Sequence, residues 1–166
     1  MISQISLRKT VSPVKDSDGA SKTLKWILVG MAVFSLVGFL DAAYLTLVHY
    51  NRGALSCYIF EGCDKVTTGP YSVIFGIPVS LLGVIYYFSV FITTILYFDT
   101  KGNFFLRALS IFPVAGFLAS LWFLYLQLFV IKAICFYCVI SAVTSTLLFI
   151  LGILIFKYGG RQQLVQ

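Results

Sequence analysis

Long uninterrupted runs of apolar residues dominate the pattern of this chain, and short polar stretches separate them. Four runs stand out, at residues 26–48, 73–98, 104–130 and 134–156. About 20 apolar residues in helical conformation are needed to cross a hydrocarbon layer roughly 30 Å thick, and every run reaches that length. The pattern therefore predicts an all-α integral membrane protein, in which four transmembrane helices form a bundle.

The rest of the chain divides into two tails around this membrane domain. Residues 1–25 are polar and contain Pro13 and Gly19, so they are expected to be a mobile tail. Residues 26–156 form the predicted membrane domain, and residues 157–166 a short second tail. A composition that is 60% hydrophobic and only 11% charged is typical of a bilayer protein rather than a soluble core.

The distribution of Lys and Arg predicts the orientation. These residues accumulate on the cytoplasmic side of membrane proteins. One side of the predicted bundle carries most of them, in the tails, between the second and third runs, and just inside the third run: Arg8, Lys9, Lys15, Lys22, Lys25, Lys101, Arg107, Lys157 and Arg161. The other side carries Arg52, Lys65 and Lys132. Both termini are therefore expected in the cytoplasm. This bias accounts for the net charge of +6 without a nucleic-acid partner.

The same topology places all four cysteines at the outward membrane face. Cys57 and Cys63 lie in the first outward loop, residues 51–72, and Cys135 and Cys138 lie where the chain enters the fourth run. Thiols on the oxidising side of a membrane form and exchange disulfides. The cysteines are therefore the first candidates for chemistry.

Cys135 and Cys138 form a Cys-x-x-Cys element at the predicted start of a helix. The free N–H groups of a first helical turn stabilise a thiolate, which is the form that attacks disulfides. At the bilayer surface, a lipid-soluble oxidant has access to this pair. We therefore expect a relay in which Cys57 and Cys63 take electrons from a reduced protein outside and pass them to Cys135 and Cys138, which reduce a lipid quinone.

Two other interpretations of the cysteines remain open. Four cysteines on an oxidising face could form two structural disulfides in a non-enzymatic membrane protein. They could also bind zinc through thiolates, although no histidine lies beside either pair and no metal is expected. Trapping of a bond between the two pairs would favour the relay.

Two polar residues fall inside the predicted spans. Asp41 lies toward the outward end of the first, where an ionised carboxylate is costly without a partner. It is either a structural hydrogen-bonding group or part of the proton path that quinone reduction requires. Gln127, near the outward end of the third, is the weaker candidate. Pro78 and Pro113 are expected in the first turns of their helices, where a missing N–H is tolerated.

Taken together, these residues resemble bacterial members of the vitamin K epoxide reductase family. The resemblance covers residues 26–156. It rests on Asp41-Ala-Ala-Tyr-Leu-Thr-Leu-Val-His-Tyr50, on Cys63-Asp-Lys-Val66, on Phe75-Gly-Ile-Pro-Val-Ser80 and on the Cys-x-x-Cys that opens the last span. An oxidase of the DsbB kind also has four spans and four cysteines, but it carries its Cys-x-x-Cys in the first outward loop.

The resemblance implies a bundle around a quinone, capped by the first outward loop. In the family, the cysteine matching Cys63 exchanges with the one matching Cys135, and the one matching Cys138 faces the quinone. Cys57 then matches the cysteine that meets a thioredoxin-fold partner of the DsbA kind. Bacterial members use ubiquinone or menaquinone to make disulfides. The expected quinone contacts are Thr68, Ser72, Phe75 and Cys138.

Two departures refine this expectation. Thr68 lies where many bacterial relatives carry serines, and Ser72 lies where animal members use an asparagine to hold vitamin K. Disulfide formation is thus favoured over epoxide reduction. The implied location is a bacterial inner membrane, with the cysteines outward and the partner supplied as a separate protein.

Overall fold

The computed structural model describes residues 17–51, 72–74 and 76–163, and most of them are helical. Within these ranges the fold consists of four long helices: α1 Ser17–Tyr50, α2 Val79–Thr100, α3 Asn103–Tyr125 and α4 Phe136–Gln163. A π-helical turn, Leu126–Ile131, continues α3. Each of the four helices is long and apolar enough to cross a membrane. The predicted fold class and the count of four spans are therefore confirmed.

The second span begins later than the sequence predicts. Residues 73–78 contain two short antiparallel strands, β1 Val73–Ile74 and β2 Ile77–Pro78, and α2 starts only at Val79. Gly76 makes the turn between them with a φ of 80°, which a residue with a side chain rarely adopts. An apolar run alone does not distinguish strand from helix, so the predicted start at residue 73 was wrong.

The first and last helices, α1 and α4, extend into the predicted tails. α1 begins at Ser17, nine residues before the predicted start of the first span, and α4 continues to Gln163. Pro113 also departs from expectation, because it lies inside α3 and not in its first turn. The Pro113 ring packs against Gly152 of α4. A Cβ on Gly152 would lie only 3.2 Å from the proline Cγ, so the absence of a side chain there makes room for the ring.

Neighbouring helices of the bundle run antiparallel. α1 packs against α2 and α4, and α3 packs against α4 and, over a smaller contact, α2. Close approach depends on small residues: Gly38 of α1 lies against the Tyr87 ring of α2, and Ala42 lies against Gly83. Between α3 and α4, the rings of Phe117 and Phe149 stack with centroids 4.5 Å apart.

The bundle has two distinct ends. We call the end with the turn at Lys101 and Gly102, where α1 also starts, the turn end; the end with Ser72 and Cys135 is the cysteine end. Toward the turn end the interior is closely packed, with side chains from all four helices buried: Leu24, Leu28, Met31, Val90, Leu106, Leu109, Leu148 and Ile155. This core holds the helices that carry the residues of the cysteine end.

Large apolar side chains cover the outside of the bundle. Examples are Trp26, Leu47, Ile111 and Phe156, each more than 60% exposed. A soluble monomer rarely exposes so much apolar surface, whereas lipid tails solvate it well. Together with the four spans, this surface makes the chain an integral, multi-pass membrane protein.

Candidate functional site

The Cys-x-x-Cys pair lies at the start of α4, as the sequence predicts. Cys135 immediately precedes Phe136, the first residue of the helix, and its carbonyl accepts a hydrogen bond from the N–H of Val139 at 3.1 Å. Cys135 is fully buried, whereas Cys138 is partly exposed. Both are free thiols. The two sulfurs therefore sit in different surroundings although they belong to one turn.

The Cys138 thiol donates a hydrogen bond to the sulfur of Cys135. This bond is the largest cause lowering the pKa of Cys135, from an ordinary 9.0 to about 7. Burial opposes the shift, and the backbone N–H groups of Cys138 and Tyr137 support it. Cys135 is thus the thiol with the greater thiolate fraction at neutral pH, which suits it to attack a disulfide.

Gln127 holds the backbone segment that leads into Cys135. The π-helical turn and the left-handed conformation of Lys132 (φ 51°) bring the chain back over Gln127, whose backbone carbonyl accepts the N–H groups of Lys132 and Ala133. Its buried side-chain oxygen accepts the N–H of Cys135 at 3.0 Å. Wide helical turns of this kind often occur at functional sites. Gln127 therefore has a positioning role that the sequence indicated only weakly.

A cavity of about 680 Å³ lies between the four helices and reaches from the cysteine end toward the middle of the bundle. Cys138 lies on its wall, and so do three other residues singled out from the sequence, Asp41, Ser72 and Gln127. Most of the lining is apolar or small, including Ala42, Leu45, Ile74, Leu82, Gly83, Ala115, Gly116, Leu118, Ala119, Trp122, Phe123 and Ala142. A cavity of this size and character suits a small aromatic ligand.

Hydroxyl groups near the deep end of the cavity are mostly paired with one another. The Tyr87 hydroxyl donates to the Ser141 carbonyl at 2.9 Å and lies 3.2 Å from the Thr144 hydroxyl. The Ser120 and Ser145 hydroxyls are 2.6 Å apart and join α3 to α4. These bonds satisfy polar groups that would otherwise be costly inside an apolar bundle.

Two polar atoms at the cavity differ from this pattern. The Oδ2 atom of Asp41 and the hydroxyl of Tyr86 are buried and have no hydrogen-bond partner among the described residues. Tyr86 was not identified from the sequence, because one tyrosine among ten carries no signal. Only its position against Gly116 in the folded bundle sets it apart.

Several predicted site residues cannot be placed. Cys57, Cys63, Thr68 and Phe75 lie outside the described residues. Of the predicted quinone contacts, Ser72 and Cys138 do line one cavity. In the part of the chain that the structure describes, no group of three or more His, Cys, Asp or Glu side chains is placed to hold a metal ion.

Comparison with known families agrees with this geometry. The sequence model of the vitamin K epoxide reductase family matches residues 29–153, which is most of the chain and includes the cavity and the Cys-x-x-Cys pair. The chain belongs to the vitamin K epoxide reductase family. Among curated proteins, none matches it. Membership of the vitamin K epoxide reductase family makes this protein a membrane thiol oxidoreductase of a quinone-associated family, and the predicted membership of this family is confirmed.

Proposed function

We propose that this protein is a quinone-dependent thiol oxidase that supports disulfide formation. Electrons from a reduced thioredoxin-fold protein pass to Cys57 and Cys63, then to Cys135 and Cys138, and finally to a lipid quinone, ubiquinone or menaquinone. The observation that carries this proposal is the placement of Cys138 on the wall of an apolar cavity, while Cys135, hydrogen-bonded to it, is buried beside that wall.

The two cysteines divide the work according to their surroundings. Cys135, with its lowered pKa, exchanges with the loop pair, and each exchange moves two electrons as one disulfide breaks and another forms. Cys138 passes electrons onward because it borders the cavity. When the two thiols become one disulfide, the protein loses two electrons and two protons. A bound quinone accepts both and becomes a hydroquinone.

The lining of the cavity fits a quinone. Apolar and small side chains surround a space large enough for a substituted ring, and the Asp41 carboxyl and the Tyr86 hydroxyl supply polar groups for its oxygens. Leu82, Leu118 and Trp122 line the cavity and are also exposed on the outside of the bundle, at the junction of α2 and α3. That junction is the smallest contact between neighbouring helices, so a lipid-soluble ligand has a lateral route inward.

We also propose the orientation predicted from the sequence. The antiparallel bundle places Ser72 and the Cys-x-x-Cys pair at the cysteine end, and the basic residues Lys101, Arg107 and Lys157 toward the turn end. The positive-inside rule then puts the turn end in the cytoplasm and the cysteine end outside, as in a bacterial inner membrane.

Reconstitution tests the function directly. In vesicles carrying the purified protein, a reduced thioredoxin-fold protein should be oxidised only when quinone is present in the lipid. Cys138→Ala should abolish this oxidation, because no second sulfur remains to complete the disulfide. Ser89→Ala, which removes an exposed hydroxyl bonded within its own helix, serves as the matched control and should leave the rate unchanged.

A trapping experiment tests the order of the relay. Cys57→Ala should leave Cys63 without its loop partner and accumulate a bond between Cys63 and Cys135, visible by mass spectrometry after alkylation. Full activity in Cys138→Ala, or oxidation of the partner without quinone, would overturn the proposed function.

A further inference from the structure

Two unpaired polar atoms face the cavity, and they lie on different helices. Of the side chains that the structure describes, Asp41 on α1 and Tyr86 on α2 contain the buried oxygen atoms that have no hydrogen-bond partner. Both residues line the cavity. A buried polar atom without a partner is destabilising, so two of them at one cavity need an explanation.

Other hydroxyl groups near Asp41 and Tyr86 do have hydrogen-bond partners in the bundle. The adjacent Tyr87 hydroxyl bonds to Ser141 and Thr144, and the Ser120 and Ser145 hydroxyls bond to each other. The unpaired state is therefore specific to Asp41 and Tyr86. This selectivity is expected if a ligand completes their hydrogen bonding.

Both residues belong to the deep end of the cavity. Along α1, Asp41 is the lining residue farthest from the cysteine end, and along α2 only Tyr87 lies deeper than Tyr86. The Tyr86 hydroxyl lies against Gly116 of α3, so this side chain bridges the space between α2 and α3. Cys138 lies nearer the cysteine end, at the start of α4, and the cavity joins it to the two unpaired atoms.

Asp41 also shares the cavity with one member of the cysteine pair, Cys138. A charge on its carboxylate is felt at Cys135, where it opposes formation of the thiolate. No ion pair to Asp41 is present in the described ranges, and an ionised carboxylate without a partner is costly inside a membrane protein. A protonated carboxyl group that lines the same cavity as a redox-active thiol can take part in moving that thiol's proton.

We infer that Asp41 and Tyr86 form the oxygen-binding end of the quinone site, with Asp41 as the residue that transfers a proton. The inference rests on the proposed function. Tyr86 donates a hydrogen bond to a quinone oxygen. Asp41 donates its proton to a quinone oxygen and is reprotonated by the Cys138 thiol. Overall, the Cys135 and Cys138 thiols give up two electrons and two protons, of which Asp41 relays one and Cys135 supplies the other; one disulfide forms, and the quinone is reduced to a hydroquinone.

Binding of a short-chain ubiquinone analogue can be measured without turnover. Trp122 lines the cavity, so quenching of its fluorescence reports occupancy. Tyr86→Phe should weaken binding about fivefold to tenfold, the effect of one hydrogen bond. Tyr125→Phe, on the exposed side of α3, is the matched control and should bind as the wild type does.

Asp41→Asn separates hydrogen bonding from proton transfer. The amide should bind the analogue within about twofold of the wild type, while turnover falls roughly 100-fold, as for loss of a general acid. Asp41→Glu should restore part of the rate, and Asp99→Asn, at an exposed position, should have no effect. Infrared difference spectra should show a protonated carboxyl stretch that changes when the analogue binds and is absent in Asp41→Asn.

These measurements distinguish failure of the proposed function from failure of the roles inferred for Asp41 and Tyr86. If the wild type neither binds the analogue nor oxidises thiols with it, the proposed function fails. If the wild type does both while Asp41→Asn and Tyr86→Phe behave as their controls, only this inference fails. A carboxyl stretch that does not change when the analogue binds would likewise show that Asp41 is hydrogen-bonded within the protein and does not contact the quinone.

Discussion

The same four helices are closely packed at one end of the bundle and surround a cavity toward the other. Toward the turn end, apolar side chains from all four helices fill the interior, and buried hydroxyls such as that of Thr94 bond to their own helix. Toward the cysteine end, the helices enclose a cavity and leave the Asp41 and Tyr86 oxygens unpaired. Close packing at one end thus keeps the helices in place, while the other end contains the cavity.

This contrast between a packed end and an end with a cavity predicts that substitutions at the first change stability and substitutions at the second change binding or reactivity. At the packed end, stability should fall while the chemistry is retained. At the open end, binding or thiol reactivity should change while the fold is retained. A substitution that moved both quantities equally would argue against this division.

The largest effect is expected in the packed core. Leu148 is fully buried, and Leu148→Ala should lower the free energy of unfolding by about 2 kcal/mol or more, because the surrounding helices cannot close the space. Thermal unfolding in detergent micelles would measure it. Leu96→Ala, on the lipid-facing side of α2, should have a much smaller effect. Unchanged stability in Leu148→Ala would mean that this end does not hold the bundle together.

The next effect concerns the reactivity of Cys135. Because the hydrogen bond from Cys138 lowers the pKa of Cys135 to about 7, alkylation of Cys135 should slow as the pH falls below 7 and the thiolate is protonated. Cys138→Ala removes the donor and should move the midpoint toward the ordinary value of 9.0, although the backbone N–H groups remain. The rates are measured by mass spectrometry with Cys57 and Cys63 replaced by serine. A midpoint unaffected by Cys138→Ala would contradict the thiol pairing.

The smallest effect is expected from a single methyl group at the cavity. A Cβ on Gly116 would overlap the Tyr86 hydroxyl, so Gly116→Ala should displace that side chain and raise the KM for quinone about fivefold. Gly30→Ala is the matched control, since its methyl would meet only the flexible end of Leu151 at 3.3 Å. Equal KM values for the two variants would show that Tyr86 does not border the bound quinone.

Much of the fold could be predicted from the sequence because hydrophobic length alone limits the choices. Four apolar runs give four spans, and the Cys-x-x-Cys pair does open α4. The hairpin before α2 escaped prediction, because Val73 and Ile77 are as apolar as the helix that follows. Gly76, which takes a positive φ in the turn, and Pro78 were the local signals for it.

Within the candidate site, the positions of Cys135 and Cys138 could be predicted from the sequence, whereas the unpaired oxygen atoms could not. Cysteine spacing and charge bias pointed to Cys135 and Cys138 without structural information. The proposed roles of Gln127 and Tyr86 depend on a π-helical turn and on a contact across the bundle, and neither feature leaves a pattern in the sequence. The predicted roles of Cys57, Cys63, Thr68 and Phe75 stay predictions.

Photolabelling with an azido derivative of a short-chain quinone tests most directly whether the quinone meets Cys138 inside the bundle. Label should appear on the cavity-lining segments around Asp41 and Cys138, and excess unlabelled quinone should suppress it. Label confined to lipid-facing residues such as Ile111 and Ile153, and insensitive to competition, would contradict the account.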